Sequence, residues 1–164
     1  PENAIISDES VTTGRNFFSM TNTAAPHDWL QLTGGAIGDG MPMAVGAAIA
    51  CPDRKVISLQ ADGSGMYTVQ ALWTEAREKL DILTLVWANR AYRILRGELM
   101  NVGAKNPGRK AHDMLSLESP TIDWVSLAKG MGVEARRVET VDQLVGAIKA
   151  GVRHKGPYLV EVVL

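Results

Sequence analysis

Apolar positions along this chain fall into short continuous runs and longer helical stripes that follow one another in turn. Short apolar runs bounded by turn-forming residues predict strands, whereas apolar positions three or four residues apart predict helices. Strands are predicted over Ala4–Ser7, Lys55–Gln60, Ile82–Trp87, Val133–Val138 and Pro157–Leu164. Helices are predicted over Asn16–Met20, Met41–Ala50, Tyr92–Met100, 124–131 and 141–152, and in the stretch after Gly65. The order predicts one α/β domain over residues 1–164: a three-layer, doubly wound, mostly parallel sheet with helices on both faces.

The stretch after Gly65 and the strand that follows it carry the clearest patterns. Ile82–Trp87 is apolar except for Thr84, which is typical of a strand buried on both faces of a parallel sheet. By contrast, Asp8–Gly14 is predicted to be a polar loop and Asn101–Ser119 to be irregular. One amphipathic stripe predicts the helix after Gly65: Val69, Leu72, Trp73, Ala76 and Leu80.

Two oxygen-bearing side chains stand at the ends of successive predicted strands. Asp62 follows the apolar run Val56–Leu59, and Asn89 follows Ile82–Trp87. If these strands are parallel neighbours, both side chains emerge at the same edge of the sheet, where open α/β sheets bind ligands. Carboxylate and amide oxygens suit Mg²⁺, a cation often bound together with phosphates. Ser64 and Gly65 are predicted to open a helix whose N–H groups face an anion, so the pattern predicts a metal-bridged diphosphate.

Two segments each admit a functional and a purely structural interpretation. Gly34–Gly40 is rich in glycine, which permits positive φ angles and close approach of the backbone to a ligand. A flexible surface linker would have the same composition. Six basic residues and one acid, Glu98, lie between Arg90 and Lys110. That charge fits either a cationic lid over an anionic substrate or a solvated mobile loop.

Composition and absent motifs exclude several classes of function. The 164 residues are 46% hydrophobic and 21% charged with a formal net charge of -1, which gives no indication of nucleic-acid or membrane binding. No apolar stretch reaches the roughly 18 residues of a membrane-spanning helix. The single cysteine, Cys51, excludes an internal disulfide and fits a reducing compartment, so a cytoplasmic location is expected. The sequence has no glycine-rich phosphate loop ending in Gly-Lys-Ser or Gly-Lys-Thr, and its histidines share no metal-ligand spacing.

The regions of Asp62 and Asn89 together resemble the signature of thiamine-diphosphate-dependent enzymes, which consists of Asp-Gly-Ser, an amphipathic helix, an apolar strand and Asn-x-x-Tyr. The two residues lie 27 positions apart, in keeping with that signature. Ala61 and Ala88 depart from it, because the family usually has glycine and asparagine there. Further segments resemble the diphosphate-binding domain of benzoylformate decarboxylase and acetolactate synthase: Asp8-Glu9-Ser10, Gly34-Gly35, Gly38-Asp39-Gly40-Met41-Pro42 and Gln70-Ala71-Leu72-Trp73-Thr74.

The resemblance implies a role for each of several residues. Asp62, Asn89 and the backbone carbonyl of Ala91 would hold Mg²⁺ against the diphosphate. The bulky side chain of Ile37 would wedge the cofactor into a bent shape, and the carbonyl of Gly35 would accept a hydrogen bond from its 4'-amino group. The other implied positions contact the cofactor or face the substrate: Thr12, Thr13, Gly63, Ser64 and Tyr92 for the cofactor, and Ile94 and Leu95 for the substrate.

The same resemblance implies a thiamine-diphosphate- and Mg²⁺-binding domain of a 2-oxo acid decarboxylase or carboligase that forms a homodimer or homotetramer. In that family the activating glutamate lies on a pyrimidine-binding domain, usually of a partner subunit, so no catalytic residue is expected in this chain. The start at Pro1 indicates a piece of a longer enzyme, whose central domain could bind FAD. A small subunit of a two-chain decarboxylase and a non-catalytic assembly or regulatory homologue are the alternatives.

Overall fold

One sheet of six strands runs through the computed structural model, which describes residues 1–164. In chain order the strands are β1 (Ile5–Glu9), β2 (Asp28–Gln31), β3 (Val56–Ala61), β4 (Ile82–Ala88), β5 (Glu134–Val138) and β6 (Tyr158–Val163). Their order across the sheet is β2-β1-β3-β4-β6-β5, and every neighbouring pair is parallel. The predicted α/β fold with a parallel sheet is therefore confirmed.

Helices cover both faces of this sheet. They are α1 (Phe17–Met20), α2 (Gly40–Ala50), α3 (Asp62–Gly65), α4 (Ala71–Arg77), α5 (Arg93–Asn101), α6 (Arg109–Met114), α7 (Trp124–Gly130) and α8 (Val141–Arg153). Met41 of α2 and Leu72 of α4 pack with Val86 of β4 on one face. Ala147 of α8 packs with Leu85 of β4 on the other face. None of the helices combines the length and the apolar composition needed to span a membrane.

Strand β4 lies inside the sheet, and all seven of its residues are buried. Successive side chains of a strand point to opposite faces, so Leu85 and Val86 enter two different hydrophobic clusters. This double burial explains why the strand is apolar at every position except Thr84.

The chain reverses its direction of travel across the sheet at β1. Strand β2 lies on one side of β1, and β3 lies on its other side. The loops that follow β1 and β3 therefore run in opposite directions across the sheet. The crevice between them is the usual ligand site of such sheets.

The helix predicted after Gly65 differs from the structure. The chain forms the single turn α3, which starts at Asp62 rather than at Ser64, and helix α4 starts only at Ala71. The buried positions of α4 are Ala71, Leu72 and Glu75, so Trp73 faces outward and is 54% exposed. One continuous helix from Gly65 was therefore a wrong prediction, and so was the burial of Trp73, whereas Val69, Leu72 and Ala76 pack into one hydrophobic cluster as the stripe predicted.

Three local predictions also need correction. Strand β2 was not predicted, since its four residues include only two apolar ones, Trp29 and Leu30, and they are only half-buried. The segment Asn101–Ser119, predicted as irregular, contains the short helix α6. Strand β1 continues to Glu9, which had been assigned to a polar loop.

Candidate functional site

A cavity of about 390 Å³ lies where the loops after β1, β3 and β4 meet. Two of the residues predicted for the site do not line it. Thr13 is half-buried in the loop after β1, where its N–H donates to the carbonyl of Ser10 at 3.2 Å. Gly35 is exposed, and its carbonyl accepts a hydrogen bond from the N–H of Ile37 at 2.9 Å. The other ten line the cavity: Thr12, Ile37, Asp62, Gly63, Ser64, Asn89, Ala91, Tyr92, Ile94 and Leu95.

Asp62 joins the ends of the two central strands. Its Oδ1 accepts a hydrogen bond from the N–H of Gly63 at 2.8 Å, and its Oδ2 accepts one from the N–H of Arg90 at 2.6 Å. Burial raises the pKa of this carboxyl, and the hydrogen bonds from Arg90 and Gly63 partly oppose that rise. The side chain is 3% exposed and forms no ion pair with a basic side chain. A buried carboxylate without a cationic partner favours a bound cation beside it.

The turn after β4 presents Asn89 to the same cavity. Asn89 Oδ1 accepts a hydrogen bond from the N–H of Ala91 at 3.0 Å. Arg90 between them has a φ of 55°, a left-handed conformation that is uncommon for residues other than glycine. The carbonyl of Arg90 accepts the N–H of Leu117 at 2.8 Å, so a second segment holds the turn in place. This conformation directs the Arg90 N–H to Asp62.

The available donors fit Mg²⁺ better than a transition metal. The structure contains no group of three or more His, Cys, Asp or Glu side chains that could hold a metal ion. Asp62, Asn89 and the Ala91 carbonyl are all oxygen donors that line one cavity. Mg²⁺ accepts such ligands and completes its octahedron with phosphate oxygens and water, whereas Zn²⁺ sites usually contain histidine or cysteine. The residues therefore fit a magnesium ion bound together with a diphosphate.

Glu9 is a part of the site that the sequence analysis did not identify. Its carboxylate is 1% exposed and accepts hydrogen bonds from the N–H of Gly38 at 2.5 Å and the N–H of Gly40 at 2.8 Å. Gln60 Nε2 donates to Glu9 at 3.0 Å and to Ser64 Oγ at 2.7 Å. One buried network thus connects the glycine-rich loop with the residue predicted to meet the diphosphate. The in-register pairing of Glu9 with Gln60 on adjacent strands creates it.

The glycine-rich loop is anchored at several points and is therefore not a free linker. Thr68 Oγ1 donates to the carbonyl of Gly38, and Ser7 Oγ donates to the carbonyl of Gly40, both at 2.7 Å. A Cβ at Gly40 would lie 2.6 Å from the Cβ of Glu9, so only glycine allows this close approach. These contacts hold Ile37, which is 44% exposed, at the cavity wall.

The rest of the wall is mostly apolar and comes from segments far apart in sequence. Met114 and Leu115, at the end of α6, lie beside the predicted substrate positions. Arg93 is the only cationic side chain of the cavity. It also lines a second cavity of about 480 Å³, together with Asn89, Ala91, Arg96 and Gly97.

Comparison with known protein families identifies thiamine pyrophosphate enzymes as relatives of this chain. The family model described as "Thiamine pyrophosphate enzyme, C-terminal TPP binding domain" matches residues 11–162. The Mycobacterium tuberculosis protein named "Putative acetolactate synthase large subunit IlvX" is 53% identical over 165 residues, which cover 100% of this chain and 32% of the relative. Benzoylformate decarboxylase of Pseudomonas aeruginosa is 33% identical over 165 residues, which cover 99% of this chain and 29% of that enzyme.

A solved structure gives the same result for the fold. The thiamine diphosphate-dependent 4-hydroxybenzoylformate decarboxylase of Rhodococcus jostii RHA1 superposes with a TM-score of 0.84 at 33% sequence identity. The match covers 98% of this chain and 29% of that enzyme. The chain thus spans about a third of the length of the relatives that it matches.

Proposed function

This chain belongs to the thiamine pyrophosphate enzymes as a C-terminal cofactor-binding domain, and we propose that it binds thiamine diphosphate through Mg²⁺ for an enzyme that acts on 2-oxo acids. The observation that carries this proposal is the hydrogen bond from the Arg90 N–H to Asp62 at 2.6 Å. It holds the ends of β3 and β4 together, so that Asp62 and Asn89 face one cavity.

The metal-binding roles follow from the donors at the two strand ends. Asp62, Asn89 and the carbonyl of Ala91 would hold Mg²⁺, since all three residues line one cavity. Thr12 and Ser64 line the same cavity and would supply a hydroxyl and a backbone N–H donor for the phosphate oxygens. Gly63 lines it too, but its N–H already donates to Asp62. Thr13 does not line the cavity, so of the two adjacent threonines Thr12 is the better candidate for this contact.

The remaining wall orients the organic part of the cofactor and excludes water. When bound, thiamine diphosphate supplies the nucleophile that adds to a 2-oxo acid and the electron sink for loss of carbon dioxide. Ile37 would support the cofactor from the cavity wall. Gly35 does not line the cavity, so the hydrogen bond from the 4'-amino group to its carbonyl, which the resemblance implies, stays a prediction. Ile94, Leu95 and Met114 provide an apolar surface for the substrate.

Further parts of the enzyme lie outside this chain in our proposal. Asp62 is the only carboxylate in the cavity, and it is committed to the metal. The resemblance implies that the activating glutamate comes from a pyrimidine-binding domain of a partner subunit, in a homodimer or homotetramer in the cytoplasm. Binding of FAD by a central domain is compatible with this arrangement, but no residue of this chain argues for it.

A non-catalytic homologue is the second candidate, and one observation favours it. Ala61 lines the cavity, so its methyl group occupies space that glycine usually leaves open in this family. Carbon dioxide release from several 2-oxo acids distinguishes the two candidates, when measured on the full-length polypeptide that carries these residues. We expect release that requires both thiamine diphosphate and Mg²⁺, and none from residues 1–164 alone. Cofactor binding without any release would favour the non-catalytic candidate.

A further inference from the structure

Two arginines beside the metal-binding turn have no partner. Arg93 and Arg96 line the second cavity together with Asn89, Ala91 and Gly97. Neither guanidinium group forms an ion pair or a hydrogen bond with another side chain. The nearest acid on the same helix, Glu98, lies two residues after Arg96, a spacing that does not bring side chains together.

Positive charge is concentrated beside the metal-binding turn. Arg93 and Asp62 are the charged side chains of the main cavity, which in the function proposed above also holds an anionic diphosphate with its metal ion, whereas the second cavity is lined by two arginines and no acid. Arg93 lines both cavities, so the two cavities adjoin at this residue. Cationic groups in a cleft raise the local concentration of anions, so this junction attracts a negatively charged group.

Resting on the function proposed above, we infer that Arg93 and Arg96 bind a second anionic group of the substrate, which is a 2-oxo acid with a further carboxylate. The two residues are three positions apart on α5, so their Cβ atoms are about 5–6 Å apart. Both guanidinium groups can therefore reach one carboxylate, and each offers a planar pair of N–H donors that matches its oxygens.

The carboxylate next to the reacting carbonyl is a poor occupant for this subsite. That group leaves as neutral carbon dioxide, so a cation bound to it stabilises the ground state more than the transition state. A second carboxylate keeps its charge throughout the reaction. Its binding therefore anchors the substrate without opposing the loss of carbon dioxide, while the apolar wall of Ile94 and Leu95 is left for the reacting end.

The test compares kcat/KM for two sets of substrates on the full-length polypeptide loaded with thiamine diphosphate and Mg²⁺. Oxaloacetate, 2-oxoglutarate and 2-oxoadipate carry a second carboxylate at different chain lengths, whereas pyruvate and 2-oxobutyrate carry none. The variants are Arg93→Ala, Arg96→Ala and Arg93→Lys. Arg136→Ala is the matched control, because Arg136 is exposed on β5 and lines neither cavity.

We expect the wild-type protein to prefer one of the dicarboxylic acids. Each alanine variant at Arg93 or Arg96 should lower kcat/KM for that acid about tenfold to a hundredfold, as for loss of a charged hydrogen bond. The values for the monocarboxylic acids should fall at least threefold less than the value for that acid. Arg93→Lys should retain part of the preference, and Arg136→Ala should alter neither class. A wild-type preference for monocarboxylic acids, or equal losses for both classes in the alanine variants, would overturn the inference.

A binding measurement separates this inference from the proposed function. If no 2-oxo acid is turned over, the proposed function fails, and calorimetric titration with glutarate still examines the subsite. Glutarate binding that weakens at least tenfold in Arg93→Ala would support the anion subsite. No glutarate binding, or equal binding by both proteins, would contradict it.

Discussion

The backbone N–H of Arg90 lies 2.6 Å from Oδ2 of Asp62. The residue that follows β3 is thereby bonded to the turn that follows β4, across two strands already paired in parallel. One carboxylate both fixes the turn that carries Asn89 and lines the cavity. The positive φ of Arg90 is a strained backbone conformation, and the hydrogen bond to Asp62 stabilises it.

Glu9 is expected to stabilise the glycine-rich loop. Glu9→Ala removes the acceptor of the N–H groups of Gly38 and Gly40 and of Gln60 Nε2, all of them buried. Leaving buried donors unsatisfied should lower the free energy of unfolding by about 3 kcal/mol or more. Urea denaturation measures the change, and Glu118→Ala is an exposed control that should change stability little. Equal stabilities of the two variants would show that the network does not hold the loop.

Glu75 should make the stability of the protein depend on pH. It is fully buried on α4, both its carboxylate oxygens lack a hydrogen-bond partner, and burial raises its pKa to about 8. Because this pKa exceeds the ordinary value of 4.5, the folded state binds more protons, so stability falls as pH rises from about 5 to about 8. Glu75 makes its full contribution to the free energy of unfolding only below about pH 5.

The variant Glu75→Gln should lack this loss of stability. The free energy of unfolding is measured at pH 5 and at pH 8. Between these two values the wild-type protein should lose on the order of 4 kcal/mol more stability than Glu75→Gln does. The cost of burying the uncharged amide of the introduced glutamine is the same at both pH values, so it cancels in this comparison. Glu78→Gln, an exposed neighbour, should show no such gain. Parallel pH profiles for wild type and Glu75→Gln would mean that Glu75 does not titrate in this range.

Gly63 is expected to tolerate no side chain. A Cβ at this position would lie 2.8 Å from Cδ1 and Cε1 of Tyr92, so Gly63→Ala should displace the ring or cost about 1–3 kcal/mol of stability. Gly46→Ala is the matched control, since Gly46 lies inside α2 with no atom within 4 Å of the added Cβ. That control should gain roughly 0.5–1 kcal/mol. If urea denaturation shows that both variants are more stable than the wild type, a Cβ at position 63 does not clash with Tyr92.

The end of the sheet where Asp62 and Asn89 lie was predictable because the two strands that precede these residues have clear apolar patterns. Ile82–Trp87 is apolar except for Thr84, and the polar residues that follow the two strands, Asp62 and Asn89, mark their ends. Strand β2 was not predicted because it has only two apolar residues, which Asp28 and Gln31 flank. A strand at the edge of the sheet is partly exposed and does not need a longer apolar run. The turn between α3 and α4 has no signal in the apolar pattern, so the start of α4 at Ala71 was not predicted.

The parts of the site that the sequence did not predict depend on tertiary pairing. Glu9 is a polar residue next to a polar loop, and its role becomes visible only when β1 pairs with β3 and brings it beside Gln60. Met114 and Leu115 reach the cavity from a segment with no apolar periodicity. The roles of the cofactor-binding residues themselves remain predictions that binding experiments must test.

The most direct measurement is a calorimetric titration of thiamine diphosphate into the full-length polypeptide with Mg²⁺ or with excess EDTA. We expect binding that requires Mg²⁺ and that weakens at least a hundredfold in Asp62→Ala, because loss of a carboxylate from a metal site removes a principal ligand. Asp113→Ala, which removes an exposed carboxylate on α6, should bind as the wild type does. Unchanged affinity in Asp62→Ala, or equal affinity with EDTA, would contradict the metal-bridged diphosphate.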